Sequence, residues 1–114
     1  MPNLESRLND TFRSLSDPTR RAVVERLGRG PATVSELARP FAMALPSFLQ
    51  HLRTLEDCGL ISSRKTGRVR TCELAPQTLA AMENWLIRQR LVWERRLDQL
   101  DEMLIDIHRR TPRP

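Results

Sequence analysis

Two short helical segments, a glycine exit and a cationic hairpin follow one another between Ala32 and Leu74, and few folds can use that order. The second segment carries Pro46-Ser47-Phe48-Leu49-Gln50-His51-Leu52. Its apolar residues Leu45, Phe48, Leu52 and Leu55 are spaced three, four and three apart, which is one face of a helix. The spacing predicts a helix over Leu45 to Asp57, with Pro46 in its first turn and Gly59 in the left-handed position past its end. Strands are expected over Leu60 to Lys65 and Val69 to Leu74, turning at Thr66-Gly67-Arg68, where Gly67 supplies a positive φ. A helix of major-groove size followed at once by a basic hairpin is the layout of a winged helix-turn-helix. The expected fold is therefore mostly α with a small β-hairpin wing, and DNA is the leading candidate partner.

The rest of the chain is helical in pattern. Leu4, Leu8, Phe12 and Leu15 predict a first helix from about Asn3 to Leu15. Asp17 caps a second helix that starts at Pro18 and runs to about Leu27, with Ala22, Val23 and Leu27 inward, and Gly28-Arg29-Gly30-Pro31 ends it. Thr33-Val34-Ser35-Glu36 reads as a capping box for a third helix to about Phe41, with Pro40 late in it. From Gln77 to about His108 there is no Gly or Pro, so one long helix is expected. Its apolar residues Leu79, Met82, Leu86, Trp93, Leu97, Leu100, Leu104 and Ile107 form one continuous stripe of coiled-coil type, too large for a small domain to cover alone. Residues 109–114 read as a frayed tail. The organisation expected is a single winged-helix domain over 1–108, including terminal dimerisation helices at about 3–15 and 77–108. The homodimer contacts would come from Leu4, Leu8 and Phe12 on the first helix, and from Leu86, Trp93, Leu97, Leu100 and Leu104 on the last.

The totals agree with this. A chain of 114 residues suits one domain, and a net charge of +5 favours an anionic partner. Part of that charge is a composition bias, since Lys65 is the single Lys among nineteen basic residues. No signal-peptide pattern opens the chain, and no apolar run approaches the roughly 18 residues of a membrane span, so a cytoplasmic protein is expected.

Candidate site residues follow from the layout. Ser47, Gln50, His51, Arg53 and Thr54 form the outward face of the predicted recognition helix. Gln reads adenine edges, Arg reads guanine edges, and Ser and Thr hold phosphates. A plain solvated face is the alternative, and the basic hairpin that follows argues against it. Arg64, Lys65, Arg68 and Arg70 have no acid among them, with Arg68 and Arg70 expected on one side of the second strand. They suit phosphates or the narrow minor groove, and equally suit an edge strand protected from aggregation. Leu49 places an apolar group on the outward face, either against a thymine methyl or as added packing.

Cys58 and Cys72 make no disulfide framework and, with His51 and His108, no zinc spacing. They read as small core residues, the sharper alternative being a thiol redox switch acting on the wing. No phosphate loop, nucleophile elbow or paired-carboxylate motif is present, so no cofactor and no enzymatic activity are expected. Glu56, Asp57, Asp98, Asp101 and Glu102 read as solvated helix positions paired with nearby Arg. A protein-interaction module that ignores DNA is the remaining alternative.

Leu15-Ser16-Asp17-Pro18-Thr19-Arg20-Arg21, Val34-Ser35-Glu36-Leu37-Ala38, Pro46 through Leu60 with its His51-Leu52 and Leu55-Glu56, Gly67-Arg68, and Trp85-Leu86 with Trp93-Glu94-Arg95-Arg96-Leu97-Asp98 together resemble the ArsR-like (ArsR/SmtB) family of bacterial winged-helix repressors, in a metal-independent branch. The resemblance spans about Leu15 to Leu104. It implies a homodimer built from the first and last helices, repressing by occupying a palindromic operator in double-stranded DNA. The family often has Ser at the position of Leu49 and an aromatic residue at that of Cys72. Its metal-sensing members carry a Cys pair on the third helix, or His and Asp pairs on the last. Here the third helix has no Cys, and Asp106 and His108 lack a second partner motif, so no metal site is expected.

Overall fold

A computed structural model describes residues 4–110, with side chains from Arg7 onward. Its elements are α1 (Leu4–Ser14), α2 (Pro18–Leu27), β1 (Ala32–Thr33), α3 (Val34–Ala38), α4 (Leu45–Asp57), β2 (Ile61–Thr66), β3 (Val69–Leu74) and α5 (Pro76–Arg110). The chain divides into two units, Met1–Met82 and Glu83–Pro114.

The first unit is a winged helix-turn-helix. Leu8, Val23, Leu27, Leu37, Phe48, Leu52, Leu55, Leu60, Ile61 and Met82 are buried in one core drawn from nearly every element. Phe41 stacks on Phe48 with ring centroids 5.5 Å apart. The sheet has three antiparallel strands in the order β1-β3-β2.

Local chemistry explains the boundaries. The Asp17 carboxylate accepts the Arg20 amide at 3.0 Å, and Pro18 occupies the first turn of α2, where its missing N–H costs nothing. At the far end of α4, the Leu60 amide reaches Leu55 O and the Gly59 amide reaches Glu56 O, both at 3.0 Å. These two bonds are the Schellman pattern, and it requires the positive φ of +81° that Gly59 adopts. The fully buried pair Leu55 and Leu60 closes it. The Thr78 hydroxyl then donates to Gly59 O at 2.6 Å, which ties the start of α5 to the exit of α4.

Several expectations are corrected. β1 was not anticipated: Ala32 and Thr33 pair with Cys72 and Thr71 as a third strand. The Thr33 hydroxyl takes the Glu36 amide at 3.1 Å as half of the capping box, but the Glu36 carboxylate turns to Arg26 at 3.5 Å. α3 stops at Ala38, before Pro40, rather than reaching Phe41. Leu45 is 55% exposed, because the first residue of a helix has no preceding turn to cover. Ala22 is only half-buried. α5 continues through Arg109 and Arg110, which extends the helix into the segment expected to fray. Residues 111–114 lie outside the described residues.

The second unit is the rest of α5. Apart from half-buried Ile87, its described residues are exposed, including Leu86, Leu91, Val92, Trp93, Leu97, Leu100, Met103 and Leu104. Arg90–Glu94 at 3.6 Å and Asp106–Arg110 at 3.2 Å are i,i+4 ion pairs along it. No helix among the described residues is long and apolar enough to cross a membrane.

Candidate nucleic-acid interface

α4 is held by its buried stripe, and this turns the opposite face outward. Ser47, Leu49, Gln50 and Arg53 are exposed there. Thr54 is half-buried and its hydroxyl returns to Gln50 O at 3.1 Å, so it is less available than the sequence suggests. His51 is also half-buried. Its Nδ1 lies 3.0 Å from Arg20 Nη1 and 3.8 Å from Asp17 Oδ2. The ring is thus tied to the start of α2 instead of standing free on the helix surface. Nothing in the spacing of Arg20 and His51 signalled this contact, because it joins residues on different elements.

The wing is a tight hairpin. Gly67 has φ +64° and Arg68 has no positive φ, the pattern of a two-residue II′ turn with glycine first. Arg68 therefore sits in the turn, as the Thr66-Gly67-Arg68 expectation has it, and does not share one side of the second strand with Arg70. Lys65 and Arg70 are direct cross-strand partners, and Arg64, Lys65, Arg68 and Arg70 are all exposed. Like charges placed opposite each other destabilise a hairpin unless an anion lies between or above them.

Wing and recognition helix are fixed to each other. The Ser63 hydroxyl on β2 donates to the Glu56 carboxylate on α4. Glu56 is therefore a structural acceptor rather than the solvated, Arg-paired position expected of it. An open concavity is lined by Thr33, Val34, Ser35 and Leu49 together with Lys65, Arg68, Val69 and Arg70 of the wing. Its lining is part cationic and part apolar, which suits a polyanion carrying flat, methylated groups.

The thiols differ. Cys72 is buried on β3, and burial pushes its thiol above the ordinary range, with the nearby Glu56 charge adding to the rise and Arg70 opposing it. Cys58 is half-buried and donates from Sγ to Ser14 Oγ and to Leu55 O, both at 3.4 Å. Among the described residues no group of three or more His, Cys, Asp or Glu side chains comes together.

The residues expected to join two protomers divide sharply. Leu8 is buried in the core of its own chain and Phe12 is half-buried against that core, so they shape α1 from within. The side chain of Leu4 lies outside the described residues. Leu86, Trp93, Leu97, Leu100 and Leu104 are 42% to 62% exposed.

Comparisons with known proteins agree with this geometry. A helix-turn-helix domain family matches residues 15–64. The HTH-type transcriptional regulator Rv2034 of Mycobacterium tuberculosis is 42% identical over 86 residues, covering 75% of this chain and 78% of that protein. The transcriptional repressor SdpR of Bacillus subtilis is 31% identical over 80 residues, covering 70% of this chain and 89% of that one. Among solved structures, the ArsR family transcriptional regulator RHA00566 superposes with a TM-score of 0.77 at 55% identity, covering 82% of this chain and 97% of that chain.

Proposed function

Because the chain belongs to the ArsR family of winged helix-turn-helix transcriptional regulators, we propose that it acts as a homodimeric repressor on a palindromic operator. Membership of that family makes it a DNA-binding regulator of transcription. The dimer, the operator symmetry and the repression are our reading. One observation carries it: Leu49 and Arg53 on the exposed face of α4 border concavities that they share with Lys65, Arg68 and Arg70 of the wing, so a single duplex can meet both.

In this reading α4 lies in the major groove. Gln50 and Arg53 meet base edges and Ser47 holds the backbone, with Thr54 joining it only on giving up its bond to Gln50 O. Arg64, Lys65, Arg68 and Arg70 draw in the adjacent phosphates or minor groove and relieve the Lys65–Arg70 repulsion as they do so. The apolar stripe of α5 pairs with its counterpart about a two-fold axis, which sets two reading heads about one DNA turn apart. Occupying a promoter in that way blocks transcription.

The test uses the full chain and its own upstream DNA. Fluorescence anisotropy with that duplex is expected to show saturable binding that weakens steeply with salt, at a stoichiometry of two chains per palindrome. A symmetric site with one half scrambled is expected to lose most of its affinity. Equal binding to intact and half-scrambled sites would rule out the dimeric reading, and no binding at low ionic strength would rule out the interface.

A further inference from the structure

We propose that Arg20 is a positioning residue for DNA recognition: it fixes the His51 imidazole in the tautomer protonated on Nε2, so that the far edge of the ring meets a DNA phosphate as a hydrogen-bond donor. This role rests on α4 being the DNA-reading helix.

A guanidinium carries N–H donors and no acceptor, and it stays protonated in proteins. The 3.0 Å contact between Arg20 Nη1 and His51 Nδ1 is therefore a hydrogen bond only if Nδ1 offers its lone pair. A proton on Nδ1 would set two N–H groups against each other. The carboxylate that would accept such a proton is Asp17 Oδ2, and at 3.8 Å it lies beyond hydrogen-bond range. The neutral ring thus keeps its proton on Nε2.

Arg20 is well placed to impose this choice. Its amide donates to Asp17 Oδ2 at 3.0 Å and its Nε donates to Ser14 O at 2.5 Å, so the guanidinium reaches His51 from a braced position. The His51 side chain is 24% exposed and is held toward the start of α2. From there the ring meets the flank of a duplex rather than base edges deep in the groove. Phosphate oxygens on that flank are acceptors only, so a ring protonated on Nε2 is complementary and the other tautomer is not.

Long-range nitrogen-15 correlation NMR on the full chain reads the tautomer directly, at about pH 8, where an ordinary imidazole is neutral. The wild-type ring is expected to carry its proton on Nε2, and Arg20→Met is expected to mix the tautomers. Operator binding should weaken about five- to tenfold in Arg20→Met, the worth of roughly one hydrogen bond. His51→Gln supplies an amide donor that needs no tautomer. Whatever affinity His51→Gln itself loses, adding Arg20→Met to it should cost little more. A proton on Nδ1 in the wild-type protein overturns the proposal, and so does an equal loss from Arg20→Met with or without His51→Gln. The wild-type spectrum needs no substitution, so the proposal can fail even where Arg20→Met does not fold. A wild-type chain that bound no duplex would instead refute the reading of α4, whatever its tautomer.

Discussion

Lys65 and Arg70 face each other across the wing, and the protein sustains their repulsion at a surface where alternation with acids would have been easy. An anion that completes the pair removes that cost, beyond any protection the charges give the edge strand β2. Neutralising Arg68 or Arg70 is therefore expected to weaken binding to every duplex alike and to reduce the log–log salt slope by about 0.9 for each phosphate left without its cation. Changing Gln50 or Arg53 should instead shift which sequence is preferred, by about 1–3 kcal/mol for a bidentate contact. A binding selection from random duplexes, repeated at two salt concentrations, separates the two outcomes. The cysteines make a second residue-scale case. Oxidation and alkylation proceed through thiolate, and Cys72 is both buried and pushed away from that form by its surroundings. In the folded protein Cys58 is expected to take up an alkylating reagent first, with Cys72 reacting only after denaturation, as peptide mass spectrometry would show. Equal native labelling would restore the redox alternative that joins the two.

At the scale of elements, caps and turns decide where this chain changes direction. Burial tends to raise the Asp17 carboxyl, but the Arg20 amide, the charges of His51 and Arg20, and the Thr19 amide outweigh it and hold the group below its ordinary value. A group lowered in the folded state stabilises the fold above its unfolded pKa, and that contribution is lost as pH falls through the folded value. Asp17→Ala should thus cost about 1 kcal/mol at neutral pH, and Asp17→Asn, also a good cap, much less. Both variants should lose the acid-limb contribution of this group in thermal melts taken from pH 7 downward. Gly67→Ala isolates the turn. An added Cβ would meet no heavy atom within 4 Å, so the φ of +64° alone should set the cost, about 1 kcal/mol in denaturant unfolding. α4 was legible because its stripe, its proline and its exit glycine agree. β1 was not, since two residues show no period and their role is backbone pairing. The Arg20–His51 contact was equally hidden, because it spans 31 residues and neither side chain follows a pattern.

The whole molecule poses a problem of cover. The winged-helix unit buries most of its larger apolar residues, while Leu86, Trp93, Leu97, Leu100 and Leu104 remain open in a single chain. Burying a side chain of this size is worth about 1.5–3 kcal/mol, so a matched stripe on a second copy supplies ample drive for association. Leu8 and Phe12 pack against the core of their own protomer. This division gives a sharp expectation. Leu100→Glu combined with Trp93→Glu should yield a monomer by sedimentation equilibrium, while the winged-helix core keeps its cooperative unfolding. Each separated head would retain its cationic wing and its salt-sensitive attraction to DNA. What it would lose is the tethering of a second half-site, which typically contributes about 10²–10⁴ in affinity. Operator binding should therefore fall about 100-fold or more, whereas weak binding to unrelated duplexes should change little. If the charged variant stayed dimeric, the stripe would not be the clasp. If it became monomeric yet bound the operator as tightly as before, two-fold symmetry would not be the source of specificity.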